Sequence, residues 1–175
     1  RLHNSSGGGP GEALLFREAA YPRVPCPVRM EDTMRILVLG DGKVGYTVAQ
    51  QLTREGHDVV IIDKSEEVLQ RSEDTLDVLC VRGNGANAKT LIDAGVDKAD
   101  FLIATTASDE TNMLCCLIAK KAGNCHTIAR IRNPEYANEV QYIREELNLS
   151  MAINPELAAA SAIYHLIRCP SAIDL

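Results

Sequence analysis

Two apolar runs bracket a glycine turn, and that stretch limits the possible fold more than any other. Ile36-Leu37-Val38-Leu39 leads into Gly40-Asp41-Gly42-Lys43-Val44-Gly45, a helical pattern follows, and Val59-Val60-Ile61-Ile62 ends on Asp63. Strand, glycine-rich turn, helix, strand and acidic residue form the first half of a dinucleotide-binding fold. Gly40 permits the tight turn, Gly42 lets a pyrophosphate approach the backbone, and Gly45 lets the helix pack closely on the sheet. Amide N–H groups at the helix start face the phosphates, and Lys43 adds a positive charge there. Asp63 lies 18 residues after Gly45, close to the ~20 expected of the residue that accepts hydrogen bonds from the ribose hydroxyls. A carboxylate at that point repels a 2′-phosphate, which favours NAD(H) or an adenine nucleotide over NADP(H). Its other role is to cap the turn before the next helix.

The same alternation continues to the end of the chain. Strands are expected near 35–39, 58–62, 78–81, 101–105, 127–131 and 150–153, each followed by a helix. Ser65 with Glu66 and Glu67, Ser108 with Asp109 and Glu110, Asn133-Pro134-Glu135 and Asn154-Pro155-Glu156 are helix-start signals, combining a cap residue with first-turn acids or a first-position Pro. One helix is expected from Asn133 to about Leu147, and a last, apolar one over 155–168. Six strand–helix units predict a Rossmann-like, doubly wound parallel α/β sheet of order 3-2-1-4-5-6. That domain spans 34–175. Residues 1–33 read instead as a leader, linker or appended tail, because Gly7-Gly8-Gly9-Pro10-Gly11, Pro22, Pro25 and Pro27 block regular elements. Glu12 to Ala20 is compatible with one short helix.

Composition narrows the class further. Aromatics make up only 4% and there is no Trp, so the core is aliphatic, as suits a parallel sheet covered by helices. The net charge of −6 argues against a general nucleic-acid binder. No stretch approaches the ~20 apolar residues of a membrane span, and no signal pattern opens the chain, so a cytosolic protein without direct membrane insertion is expected. Of the six cysteines, no two form C-x-x-C. Cys80 and Cys115-Cys116 fall in apolar elements, where a thiol packs as a small hydrophobe.

Three further loops sit at carboxyl ends of strands, where ligands bind in this architecture. Gly83-Asn84 is placed to border an adenine. Thr105-Thr106-Ala107-Ser108 lies across the switch point from the glycine turn. Arg130 lies near the end of strand five. A guanidinium in an apolar strand needs a partner, either a ligand or an internal ion pair with Asp109 or Glu110.

Taken together, Gly40 to Gly45, Asp63, Ala104-Thr-Thr-Ala-Ser-Asp-Glu-Thr-Asn112, Ile128-Ala-Arg-Ile-Arg-Asn-Pro-Glu-Tyr136 and Asn154-Pro-Glu156 resemble the N-terminal regulatory domain of TrkA-type potassium-uptake proteins, also called RCK or KTN domains. The middle block is far more specific than the glycine motif. The resemblance implies a domain that binds NAD(H), or ATP and ADP in relatives, on the cytosolic face of a potassium channel or transporter whose gating it controls. It implies nucleotide contacts at Gly40, Asp41, Gly42, Lys43, Val44, Asp63, Thr106, Ala107 and Arg130. Two positions depart from the pattern: Ala107 offers only its backbone, and Asn84 stands where relatives often have Asp. The family's C-terminal ligand-binding half has no counterpart in these 175 residues, so a fragment or a single-domain member is expected.

The last helix adds a partner. Leu157 to Ile167 contains no charged Asp, Glu, Lys or Arg, and a helix apolar all round is buried on more than one side. The resemblance makes it a crossover to a second copy, so a homodimer through 155–168 is expected, with a terminal helix docked on its own domain as the other reading. A regulatory binding module, peripheral on the inner face of the membrane through its partner, is the leading function. The runner-up is an NAD-dependent oxidoreductase fragment. Hydride chemistry needs an acid–base group beside the nicotinamide. His57 and His126 precede strands, at the wrong end of the sheet, His165 lies in the apolar helix, and no Tyr-x-x-x-Lys pair occurs.

Overall fold

The computed structural model describes residues 33–137 and 139–168. The leader expected over 1–33 lies outside them except for Thr33, as do Cys26 and Cys169. Six strands form one all-parallel sheet: β1 (Arg35–Leu39), β2 (Asp58–Asp63), β3 (Leu79–Arg82), β4 (Phe101–Ala104), β5 (His126–Arg130) and β6 (Met151–Ile153). Their spatial order is β3-β2-β1-β4-β5-β6. The doubly wound arrangement expected from the alternation is therefore the one formed, and strand ends differ from expectation by a residue.

Alternation of side chains along the strands divides the core in two. Ile36, Val38, Val59 and Ile61 face α1 (Lys43–Arg54) and α2 (Glu66–Thr75), packing with Ala49 and Leu69. Leu37, Leu39, Val60, Ile62, Leu102 and Ala104 face the other way, onto Leu91 of α3 (Ala88–Asp93) and Cys115, Cys116 and Ala119 of α4 (Asp109–Ala122). Leu37, Val38, Val60, Ile61 and Ile62 are fully buried, each such side chain contributing about 2 kcal/mol of transfer free energy. The cysteines in this core are packing residues. Burial pushes the thiols of Cys80 and Cys115 up to about 12, so neither is a thiolate near neutral pH.

One expected helix is two. Between Asn133 and Leu147 the chain forms α5 (Pro134–Ala137) and α6 (Val140–Glu146). Tyr136 N–H donates to Asn133 O and Glu139 N–H to Tyr136 O, both at 3.0 Å. These i→i+3 bonds tighten the turn and close the first helix after four residues, and Glu139 restarts the chain from a non-helical ψ near 0°.

The last helix, α7 (Pro155–Arg168), follows β6. Leu157, Ile163, Tyr164 and Ile167 on it are 55–73% exposed. Its own domain therefore does not cover this apolar face. Among the described residues no helix is long and apolar enough to cross a membrane.

Candidate nucleotide-binding cleft

The chain leaves β1 toward one face of the sheet and β4 toward the other. Because β1 and β4 are neighbours, in register from Ile36–Phe101 to Leu39–Ala104, a crevice opens above their carboxyl ends. Backbone bonds fix its floor. Gly40 N–H donates to Ile62 O (2.8 Å), Thr105 N–H to Leu39 O (2.8 Å) and Gly83 N–H to Asp63 O (2.8 Å). The Thr105 hydroxyl lies 3.0 Å from both Leu39 O and Gly40 O, tying the two switch-point loops together.

The glycines of the turn differ in what surrounds them. At Gly45 an added Cβ would lie 1.8 Å from Gly40 O and 2.8 Å from Thr105 Oγ1, whereas at Gly42 it would meet nothing within 4 Å. Gly45 is thus required by close helix–sheet packing. Gly42 faces open cleft, where its missing side chain leaves room for a ligand. Gly42 is also the N-cap of α1 and supplies no side-chain cap, and the first turn of α1 holds no acid. The orphan amides and positive dipole end of that helix point toward the cleft.

The cleft measures about 480 Å³, within the range of small-molecule sites. Gly40, Gly42, Lys43, Val44, Asp63, Asn84, Thr106, Ala107 and Arg130, the residues singled out in the sequence, all border it. Lys64, Gly85, Thr111 and Arg132 border it as well and were not singled out from the sequence. Lys43, Lys64, Arg130 and Arg132 set four cations against the single carboxylate of Asp63, a lining suited to phosphates. A smaller recess of about 330 Å³ adjoins it at the start of α4 and shares Ala107, Ser108 and Arg132.

Asp41 and Gly45 do not border the cleft. The Asp41 side chain turns under the loop, is 1% exposed, and accepts a hydrogen bond from Ser72 Oγ on α2. Its Oδ1 has no partner. Loss of water raises its pKa above the ordinary 3.8, against the lowering effects of Ser72 and Arg71. Asp63 does cap the turn before α2: Oδ1 accepts from Ser65 N–H (2.9 Å) and Oδ2 from Asp41 N–H (2.8 Å). A carboxylate has about four acceptor positions, so this role leaves capacity for ribose hydroxyls.

On the far side, Asn112 organises the loop. It is fully buried. Its Oδ1 accepts from Thr106 N–H (2.9 Å) and Thr106 Oγ1 (2.7 Å), while its Nδ2 donates to Thr106 O (3.2 Å) and Arg130 O (2.9 Å). The sequence signal for this was a polar residue on the face of α4 that also carries Cys115, Cys116 and Ala119. Ala107 O accepts from Arg132 Nη2 (2.6 Å), and Asn84 Oδ1 accepts from Ala86 N–H (3.1 Å) within its own loop.

The internal partner of Arg130 is neither Asp109 nor Glu110. Asp109 accepts the N–H groups of Arg132 (2.8 Å) and Asn133 (2.7 Å). Arg130 pairs with Glu156 at the start of α7. The reason is the sheet: Arg130 is opposite Ile153 in the β5–β6 ladder, and Glu156 follows three residues later. His57 and His126 lie at the opposite, amino edge of the sheet, where Met34 N–H donates to His57 Nδ1 (3.4 Å) and the His126 ring lies 5.2 Å from that of Phe101.

Residues 36–155 match the family model of the TrkA-N domain. The chain belongs to the TrkA-N family. Among its relatives is a Trk system potassium uptake protein TrkA homolog of Archaeoglobus fulgidus, 42% identical over 142 residues, covering 81% of this chain and 32% of the relative. The TrkA-N chain thus spans about a third of that relative's length. Among solved structures, the TrkA-N domain of the inner membrane protein ybaL from Escherichia coli superimposes with a TM-score of 0.67 at 24% identity, over 78% of this chain and 98% of that one. The GsuK channel bound to NAD gives 0.59 at 18% identity over 82% of this chain and 25% of that one, and GsuK bound to ADP gives 0.59 at 17%, over 81% and 38%. At these identities the structures establish the shared fold.

Proposed function

We propose that this chain is a nucleotide-binding regulatory domain of a Trk-type potassium uptake system, with NAD(H) as its ligand and ADP or ATP as the alternative. The observation that carries the reading is the uncapped start of α1 opening onto a cleft lined by four cations. A pyrophosphate there takes the amides of Gly42, Lys43 and Val44 at the turn from Gly40. Asp63 takes a ribose, Asn84 borders the adenine, and Thr106, Ala107 and Arg130 close the far side. Family membership and the NAD- and ADP-bound forms of GsuK support the same reading.

The output is regulatory rather than catalytic. A second copy covers the exposed apolar face of α7, and the paired domains act on a membrane-embedded potassium transporter or channel subunit from its inner face. Nucleotide does so by binding one arrangement of the pair better than another. Thermal shift with NAD, NADH, ADP, ATP and NADPH tests the ligand, since a ligand at 100 times its Kd stabilises by about 2.7 kcal/mol. NAD(H) is expected to give the largest shift; a preference for NADPH would overturn the role of Asp63. Light scattering of the same samples reads the dimer, and a monomer at all concentrations would remove it.

A further inference from the structure

Arg130 belongs to two places at once. It borders the cleft, and one of its terminal nitrogens, Nη2, is bonded to Glu156 Oε1 in the first turn of α7. Glu156 itself does not border the cleft. The Arg130 side chain is 12% exposed, against 57% for Glu156, so the cation is held inside while its partner sits at the surface. The Nε of Arg130 is buried without a hydrogen-bond partner. A buried unsatisfied donor of a charged group is costly, and guanidinium carries five donors in a rigid fork. With Nη2 on Glu156 and Nε buried, the Nη1 donors are left for phosphate oxygens.

The start of α7 is bound to the same strand end by a second route. Asn154 caps α7, its Oδ1 accepting from Leu157 N–H at 3.0 Å, and its Nδ2 lies 3.4 Å from Arg132 O as a donor. Arg132 also borders the cleft. Glu156 is poised as an anion: its own backbone N–H, then the Arg130 bond, hold its carboxyl below the usual glutamate value. Thus the end of β5, which faces the ligand site, and the first turn of α7, which leads to the unpartnered apolar face, share one rigid set of polar contacts.

We propose that Glu156 is a positioning residue for the cleft, acting through Arg130, and that this ion pair is the strut through which a phosphate in the cleft is felt at the start of α7. The inference rests on the nucleotide reading of the cleft given above. Glu156 fixes the guanidinium plane; a phosphate oxygen then takes the Nη1 end, and Arg130 bridges the two anions. The bridge makes ligand binding tighten the first turn of α7 instead of releasing it.

Hydrogen exchange of the whole chain, with NADH and separately ADP as probes, tests this alongside a binding titration. In the wild type, ligand is expected to slow exchange at the amides of Leu157 and Ala158. In Glu156→Gln, affinity should fall about three- to tenfold, the difference between a charge-assisted and a neutral hydrogen bond holding the guanidinium, and the slowing at Leu157 and Ala158 should vanish. The melting temperature without ligand should fall only slightly, because the amide oxygen of the variant still accepts from the largely buried Arg130. Unchanged slowing in Glu156→Gln would overturn the proposal, as would faster exchange at these amides on binding to the wild type. Binding with no change at α7 would also overturn it while leaving the nucleotide reading intact. Failure of the wild type to bind either probe would overturn the nucleotide reading first, and the strut with it.

Discussion

α1 and α4 begin on either side of the switch point, one from β1 and the other from β4, and they satisfy their first turns in opposite ways. The Ser108 hydroxyl accepts from Thr111 N–H at 3.0 Å, and Asp109 and Glu110 set negative charge against the dipole of α4. Asp109 is itself consumed by the backbone of Arg132 and Asn133. The α4 start is therefore complete in itself and acts as a scaffold. The α1 start has a glycine where the cap would be, no acid in its first turn, and Lys43 where a cation opposes the helix dipole. Among the described helices of eight residues or more, α2 has Ser65 as cap with two acids, and α7 has Asn154 with Glu156. Only α1 has neither device. Local stability is thus left unoptimised at one helix end, which is what a site for an external anion requires.

Substitution of Gly45 should have the largest effect. A methyl at Gly45 would meet Gly40 O at 1.8 Å, and neither backbone can give way without moving β1. Gly45→Ala should destabilise the fold by about 3 kcal/mol or more, seen as a fall of roughly 10 °C in Tm, with loss of ligand binding. A variant that melts like the wild type would mean that α1 can shift off the sheet, and the α1 side would then be no more constrained than the α4 side.

A reciprocal pair of variants probes the comparison more sharply at smaller cost. Gly42 has an extended backbone, φ −77° and ψ −173°, which any residue adopts, and its Cβ direction is open. Gly42→Asp gives α1 the cap it lacks, so stability should hold or rise by about 0.5 kcal/mol while nucleotide affinity is lost to charge repulsion. Ser108→Ala does the reverse, costing about 1 kcal/mol of stability with a much smaller effect on affinity. Denaturant melts and titrations on the two variants read both quantities. If Gly42→Asp bound nucleotide as well as the wild type, the α1 end would not be the phosphate site.

Much of this contrast was legible in the sequence. Gly42 and Ser108 declare themselves by type and by position between apolar runs, and the strand order follows from six strand–helix alternations. What was not legible depended on contacts across the sheet. Nothing adjacent in sequence pairs Arg130 with Glu156; the β5–β6 register brings them together, while the nearer candidates Asp109 and Glu110 are engaged by loop backbone and by the Ser108 and Tyr136 hydroxyls. Asp41, inside the glycine motif, counts as a ligand contact from sequence alone, yet the φ of +91° at Gly40 turns the chain there and the Asp41 carboxylate is buried against Ser72. The buried role of Asn112 likewise depends on two loops converging on one amide. The split between α5 and α6 lies in a stretch with strong start signals and no internal glycine or second proline to mark the break.

The smallest expected effect lies beneath the α1 turn, at Asp41. Its carboxyl is buried, one oxygen is unpaired, and loss of water holds its pKa above the ordinary 3.8. The folded protein therefore binds this proton more tightly than the unfolded chain. Its contribution to stability is complete below about pH 3.8 and is lost as pH rises through the higher folded value. Asp41→Asn keeps an oxygen for the Ser72 hydroxyl and never ionises. The melting temperature of Asp41→Asn minus that of the wild type should accordingly grow from about pH 4 toward neutrality and then level off. A difference that stayed flat, or shrank with rising pH, would mean that Arg71 and Ser72 fully offset the burial of the Asp41 charge, and that the glycine turn rests on an ion pair instead of a strained carboxylate.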